Sequence, residues 1–216
     1  MKKYLLMTGV LILFNSLSAF QAAAQNIGFK EDFSRYDIGA TAPSIKTNGA
    51  AVVARPAGQQ GKWLSIQENI TYKINRSLYL PKSFTLEFDL LAQAEQIKDM
   101  SPISFGFVKD NAVRDYISNG GAFVQLHYYD ADAVNIGNYD LGKEAGTKYD
   151  LSSTANRPLH VKLIVSGNQM TVYLDTTKLA ETMLFKPGAA RYFYISGPNR
   201  SERGARLFIS NISIHP

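Results

Sequence analysis

The stretch FTLEFDL, residues 84–90, places two carboxylates on one side of an extended strand. Apolar and polar residues alternate in it, so Glu87 and Asp89 point the same way, about 7 Å apart along the strand. A retaining glycoside hydrolase needs two carboxyl groups about 5–5.5 Å apart, one as nucleophile and one as acid and base. The same pattern is also typical of a solvated strand face, where side chains on neighbouring strands pair with the acids. Glu87 and Asp89 are therefore ligand-binding candidates, and the more specific alternative is that they are catalytic acids of a glycoside hydrolase.

A second cluster lies in QLHYYDADAVNIGNYD, residues 125–140. If Val124 and Leu126 face a core, then the intervening side chains face outward, together with the next residues along the strand. Aromatic rings can stack on sugar rings, and amide or imidazole groups can bond the hydroxyls of a ligand. The outward candidates for ligand binding are Gln125, His127, Tyr129, Tyr139 and Trp63. The competing interpretation is that these aromatic residues only pair across strands, which they commonly do.

Oxygen-bearing side chains in the same region suggest a structural calcium ion, since calcium takes carboxylate, amide and carbonyl oxygens from loops. The candidate ligands are Asp130, Asp132, Asn135 and Asp140, or alternatively Glu31 and Asp32. Asp and Asn are also the favoured residues of turns, so plain turn chemistry is the competing explanation. No other cofactor is expected. The chain has three His and no Cys, and the wide spacing of the His residues argues against a zinc site.

Short alternating runs separated by Gly, Asn, Asp, Pro and Ser dominate the chain and predict an all-β domain. The predicted strands are WLSIQ (63–67), FTLEFDL, ISFGFV (103–108), AFVQLHYY (122–129), HVKLIV (160–165), MTVYLD (170–175), RYFYIS (191–196) and RLFISNISI (206–214). The clearest unit is the hairpin of residues 160–175, whose Gly167 and Asn168 suit a tight turn. We expect a single domain spanning residues 25–216.

The first 24 residues have the order of a secretory signal peptide: two lysines, a short apolar run, and Ala22–Ala24 as a cleavage site. Removal lowers the formal net charge from +5 to +3, because Lys2 and Lys3 are lost. The remaining basic residues are scattered, which argues against nucleic acid as a partner. No later segment is long and apolar enough to span a bilayer. We therefore expect a secreted or periplasmic protein of the cell envelope.

The segment RPLHVKLIVSGNQMTVYLD, residues 157–175, resembles the signature hairpin of concanavalin A-like, laminin-G-like sandwiches. The later YFYISG and RLFISNISI are similar to the closing strands of that group. EDFSRYDIGATAP, GKWLSI and LPKSFTLEFDL resemble the opening of sandwich domains in bacterial envelope proteins. The resemblance implies a two-sheet antiparallel jelly-roll sandwich, a fold that hosts lectins, carbohydrate-binding modules and laminarinase-type hydrolases.

Comparison with the laminarinase-type hydrolases bears on catalysis. The resemblance implies that the matching strand of those hydrolases reads Glu-x-Asp-x-Glu, or the same pattern with one inserted residue. In this chain, Leu91 and Ala92 stand where the second Glu should be. We therefore expect a non-catalytic module that binds a glycan at the cell envelope. Two alternatives stay open: a glycoside hydrolase that uses Glu87 and Asp89, and a structural domain that binds an envelope protein and no small ligand.

Overall fold

The computed structural model describes residues 28–76, 80–114 and 121–216, and these form fifteen β-strands in two antiparallel sheets. The strands are β1 (Phe29–Glu31), β2 (Ile45–Thr47), β3 (Val53–Ala54), β4 (Trp63–Ile66), β5 (Thr71–Ile74), β6 (Ser83–Gln93), β7 (Ile103–Val108), β8 (Ala122–His127), β9 (Ala133–Asn138), β10 (Lys143–Lys148), β11 (Pro158–Ser166), β12 (Gln169–Leu174), β13 (Thr177–Met183), β14 (Tyr192–Ser196) and β15 (Arg206–His215). The predicted signal peptide lies outside the described residues. Within them, no helix has the length and apolar character needed to cross a bilayer.

The two sheets have eight and seven strands. The eight-stranded sheet runs β13–β12–β11–β6–β15–β4–β3, and β1 also pairs with β15. The seven-stranded sheet runs β10–β9–β8–β7–β14–β5–β2. Strand β6, which contains FTLEFDL, and strand β8 each have a hydrogen-bonded neighbour on both sides. Those neighbours hold the strand registers, so the side chains of β6 and β8 have fixed directions.

The core lies between the inner faces of the sheets. Phe88 on β6 is fully buried and meets Phe105 on β7 edge to face, with ring centroids 5.2 Å apart. The ring of Phe193 on β14 lies 5.4 Å from Phe88 on its other side. Edge-on ring pairs add to the free energy gained by burying the rings. These contacts join the sheets, so the predicted two-sheet antiparallel sandwich is confirmed.

The predicted hairpin is also confirmed, as β11 and β12 joined by Gly167 and Asn168. Gly167 has φ of +59°, which a glycine adopts without steric cost. Asp175, the last residue of the V-Y-L-D motif, accepts hydrogen bonds from the His160 amide, the Tyr149 hydroxyl and the Arg157 guanidinium. Burial raises the pKa of the Asp175 carboxyl, but these bonds lower it overall. The motif's acid therefore holds the end of the hairpin.

Two expectations along residues 122–148 were wrong. The strand predicted over 122–129 ends at His127, and residues Tyr128–Asp130 form a 3-10 helix. The region interpreted as an ion-binding loop, residues 128–140, contains strand β9, which pairs antiparallel with β10. Strand β9 carries Asn135, Gly137 and Asn138, and Gly and Asn are weak strand formers. Pairing with β8, rather than intrinsic preference, makes β9 extended.

Candidate functional site

The seven predicted ligand-binding residues fall on two opposite sides of the sandwich. Glu87, Asp89 and Trp63 alternate with core residues of β6 and β4, so they lie on the outer face of the eight-stranded sheet. Gln125 and His127 alternate with core residues of β8 and lie on the outer face of the seven-stranded sheet. The core separates the two groups, which therefore cannot serve one ligand. Tyr129 and Tyr139 follow the ends of β8 and β9.

Glu87 and Asp89 sit in a network of basic and amide side chains. Register places His160 on β11 opposite Asp89, and its Nδ1 lies 2.9 Å from Asp89 Oδ1. Lys162, opposite Glu87, brings its Nζ to 3.5 Å from Glu87 Oε1. Asn211 donates its Nδ2 hydrogen to Asp89 Oδ2 at 2.7 Å. The two acids are thus paired across strands, as in the solvated-face interpretation.

The next outward position on β6 belongs to an apolar cluster. Leu91 is fully buried and packs with Trp63 and Phe208 on the outer face. Trp63 does point outward, but it is only 4% exposed and its Nε1–H donates to the Gln60 carbonyl. Its ring faces are therefore not open for stacking, contrary to the expectation for this residue. A leucine packed under the only tryptophan occupies a position that the hydrolase pattern reserves for an acid.

On the seven-stranded sheet, amide and hydroxyl groups form a row across three strands. Register sets Gln125 on β8 between Ser104 on β7 and Asn135 on β9. Ser104 bonds the Tyr194 hydroxyl at 2.8 Å, and the Asn135 amide donates to Glu144 at 2.9 Å. Gln125 is partly exposed, and its amide makes no hydrogen bond within the described part of the chain. The row thus offers one free amide beside groups that already have partners.

Residues 110–112, which follow β7, lie over the other half of this face. Lys73 on β5 is 1% exposed and donates to the backbone carbonyls of Asp110, at 3.2 Å, and Ala112. Because β5 lies two strands from β7, residues 110–112 must cross over the sheet to reach it. Burial lowers the pKa of Lys73 to about 8. The accessible half of the face is therefore the part formed by β8 and β9.

Two exposed tyrosines border that accessible half. Tyr129 is 68% exposed, because the 3-10 helix after β8 buries Tyr128 and turns its neighbour outward. It therefore extends from the strand end instead of lying on the strand face as expected. Tyr139 is 58% exposed and lies over Phe123, with ring centroids 4.4 Å apart. Tyr129 thus presents an aromatic ring to solvent more fully than Tyr139.

His127 lies between the amide row and Tyr129. Its Nδ1 is 3.8 Å from the Asp130 carboxylate. Its Nε2 is buried and has no hydrogen-bond partner among the residues that the structure describes. Most buried polar atoms have a partner, so this nitrogen is an exception at the edge of the candidate surface. Gln125, His127, Asn135 and Tyr129 together define what we call the β8–β9 surface.

Two of the four predicted calcium ligands along β9 and its flanks have hydrogen-bond partners. Asp132 accepts a hydrogen bond from Lys148 at 2.9 Å, and Asn135 is a strand residue bonded to Glu144. Across residues 28–76, 80–114 and 121–216, no group of three or more His, Asp or Glu side chains is placed to hold a metal ion. The predicted ligands are therefore not gathered into one cluster of the kind that calcium binding requires, and a calcium ion at this place stays a prediction.

The alternative calcium pair at the start of the fold is also engaged. Glu31 is 3% exposed and accepts hydrogen bonds from the Phe33 amide, Arg35 and Tyr36. Asp32 accepts two bonds from Ser34 through Oδ1. Both acids stabilise the turn after β1. Their sequence signal, two adjacent carboxylates, did not distinguish a turn from an ion site.

Comparison with known proteins rests on structure alone. No family model and no curated protein matches the sequence. The metal-free form of the VIP36 exoplasmic/lumenal domain matches with a TM-score of 0.63 and 12% identity, over 88% of this chain and 92% of that one. Its Ca²⁺/Man3GlcNAc-bound form matches with a TM-score of 0.60 and 12% identity, over 87% and 90%.

Two further structures match over a smaller share of their own length. The botulinum neurotoxin serotype D binding domain has a TM-score of 0.57 and 9% identity, over 88% of this chain and 47% of that one. A sialidase has a TM-score of 0.54 and 16% identity, over 87% of this chain and 18% of that one. Identities this low establish the fold and not the ligand. The chain is a concanavalin A-like β-sandwich.

Proposed function

We propose that this protein is a non-catalytic glycan-binding module that uses the β8–β9 surface. The observation that carries the proposal is that Gln125, whose amide has no partner among the described residues, and His127 occupy successive outward positions of β8, and the exposed Tyr129 follows two residues after His127. Sugars present hydroxyl groups around an apolar ring face, and this surface offers both kinds of contact side by side. The similar structures that hold mannose-containing ligands support the same class of ligand.

The proposal includes a location and a partner class. The signal-peptide pattern of residues 1–24 supports a secreted or periplasmic protein at the cell envelope. The partner is then an envelope or extracellular glycan. A protein partner without a glycan is the competing idea, and it predicts no binding to purified polysaccharides.

We expect Tyr129→Ala to weaken glycan binding by about tenfold or more, since a tenfold loss corresponds to about 1.4 kcal/mol. Gln125→Ala should weaken it as well, because the free amide is the surface's main hydrogen-bonding group. The measurement is binding to an array of diverse polysaccharides, with mannose oligosaccharides as the first arm, followed by titration calorimetry on each ligand found.

The matched control is Tyr173→Ala, which removes the same side chain from β12 in the other sheet. That variant should bind like the unaltered protein. An array without any bound polysaccharide would contradict the glycan proposal. An equal loss in Tyr173→Ala and Tyr129→Ala would contradict the β8–β9 surface.

We also expect no hydrolysis of β-glucans, either by the unaltered protein or by Glu87→Gln. Glu87 and Asp89 are held by Lys162, His160 and Asn211, and the third acid position holds the buried Leu91. A retaining mechanism lacks its second catalytic acid in this arrangement. Reducing-sugar release is the measurement. Release that is present in the unaltered protein and abolished by Glu87→Gln would establish a hydrolase instead.

A further inference from the structure

A polar cleft of about 320 Å³ lies on the outer face of the eight-stranded sheet, away from the β8–β9 surface. Its size is at the small end of the range for small-molecule sites, about 300–1,000 Å³. The side chains that matter for recognition are Asp32, Arg55, Gln60, Trp63 and Asn211. They come from the turn after β1, the loop between β3 and β4, the start of β4, and strand β15.

A break in strand pairing puts Asn211 at the cleft. Strand β15 pairs with β6 at Ser210 and again at Ser213, so two residues of β15 oppose the single residue 88 of β6 and one of them is extra. Asn211 has φ of +52° and is exposed. Such irregularities often re-aim a side chain at a functional site. Its Nδ2 is used by Asp89, which leaves Oδ1 as a free acceptor within the described residues.

The cleft holds one uncommitted positive charge. Arg55 is exposed and makes no hydrogen bond or ion pair with any residue that the structure describes. The neighbouring Lys62 donates to the carbonyls of Ser34, at 2.9 Å, and Tyr36, so its ammonium group is already bound. An uncommitted guanidinium at the rim of a cleft is suited to pairing with a carboxylate through two parallel hydrogen bonds.

The other cleft groups are acceptors that require a donor from the ligand. Asp32 uses Oδ1 for Ser34, and those bonds lower the pKa of its carboxyl, so the group is an anion at neutral pH. Asn211 Oδ1 is the second acceptor. Gln60 is exposed, and its side-chain amide can either donate or accept a hydrogen bond. Sulfate, a simple inorganic anion, has no hydrogens to donate and would be repelled by the charge of Asp32. The ligand must therefore carry hydroxyl groups as well as a negative charge.

We propose that this cleft, which we call the Arg55 cleft, binds a carboxylated sugar residue, a uronic acid. Arg55 pairs with the carboxylate, while Asp32 and Asn211 accept hydrogen bonds from ring hydroxyls. Trp63, which belongs to the buried apolar cluster with Leu91 and Phe208, adds an apolar residue to the lining. The site lies on the opposite sheet from the β8–β9 surface, so uronic acid binding here and glycan binding there are independent proposals.

A larger hollow of about 400 Å³ near Arg191 lacks this character. Arg191 is 8% exposed and donates to the carbonyls of Pro81, Lys82 and Gly167. Its ring partner is Phe185, 4.5 Å from the guanidinium. The charge of Arg191 therefore holds loops together, whereas that of Arg55 is available to a ligand.

The test is titration calorimetry of the purified protein with trigalacturonic acid, its fully methyl-esterified form, and sulfate, in low-salt buffer at pH 7. The ester keeps the rings and hydroxyls but removes the negative charge. We expect the acid to bind at least tenfold more tightly than the ester. Arg55→Met should remove that preference, while Arg55→Lys should retain part of it.

Two variants serve as controls. Arg206→Met makes the same charge change at an exposed residue of β15 that does not line the cleft, and it should leave binding of the acid unchanged. Tyr173→Ala, which changes a residue on β12 outside both proposed sites, should also leave it unchanged. The proposal is overturned if the acid does not bind, if acid and ester bind equally, or if sulfate binds as tightly as the acid. Unchanged acid binding in Arg55→Met overturns it too.

Discussion

Phe88→Ala is expected to lower the free energy of unfolding by about 3–5 kcal/mol, the usual cost of removing a buried phenylalanine ring. Phe88 is fully buried and its ring contacts Phe105 and Phe193 across the interface between the sheets. Truncation removes both ring contacts and leaves a cavity at the centre of the core. Domains are stable by only about 5–15 kcal/mol, so this loss is a large share of the total.

The measurement is urea unfolding followed by the fluorescence of Trp63, the chain's single tryptophan, which is buried. Glu87→Ala is the matched control, because it truncates the adjacent residue of the same strand on the opposite face. Its contacts with Lys162 and His160 are 3.5 and 3.7 Å long and partly exposed, so we expect a change within about 1 kcal/mol. A similar loss in both variants would show that the inward and outward assignment of β6 is wrong.

Gly106→Ala is the second change for which we expect a large loss of stability, about 2–6 kcal/mol. A Cβ at this position would lie 2.2 Å from the backbone oxygen of Ala122, and φ is +152°. Strained backbone costs about 1–3 kcal/mol, and forcing extra volume into packed structure costs about the same again. The atom in the way belongs to the backbone of β8 and cannot rotate aside. The substitution would push β7 away from the strand that carries Gln125 and His127.

Gly39→Ala is the matched control for Gly106→Ala. Gly39 also has positive φ, +85°, but a Cβ there would meet no atom within 4 Å. It should cost about 1–2 kcal/mol from backbone conformation alone. Thermal unfolding of both variants gives the difference that the contact with Ala122 causes. Glycan binding by folded Gly106→Ala should also fall, and binding by Gly39→Ala should not. Equal destabilisation by the two substitutions would refute the close approach of β7 and β8.

Alternation along single segments was enough to predict the inner and outer sides of most strands. FTLEFDL is extended, with Phe88 inward and both acids outward, as its spacing indicates. The β11–β12 hairpin followed from two alternating runs around Gly167 and Asn168. Such patterns succeed because a residue's side of a strand depends only on its own segment and on which face is buried.

The partners of those residues were not predictable in the same way. His160 and Lys162 pair with Asp89 and Glu87 across some seventy residues of sequence, and a shift of the register by one residue would remove both contacts. Strand β9 escaped prediction because its Gly and Asn residues resemble a loop, and the short, fully polar or small-residue run of β10 shows no apolar alternation. They become strands only by extending a sheet that the rest of the chain has already formed.

The sequence by itself determined the all-β class, the hairpin and the outward direction of Glu87, Asp89, Gln125 and His127, because these depend on local periodicity. Only the tertiary structure decided that the four residues lie on opposite sides of the core, that Leu91 packs against Trp63 on the outer face, and that Arg55 lies at a cleft without a partner among the described residues. Those outcomes depend on sheet order, register and one irregularity in β15, which arise from contacts between distant segments and leave no period in the sequence.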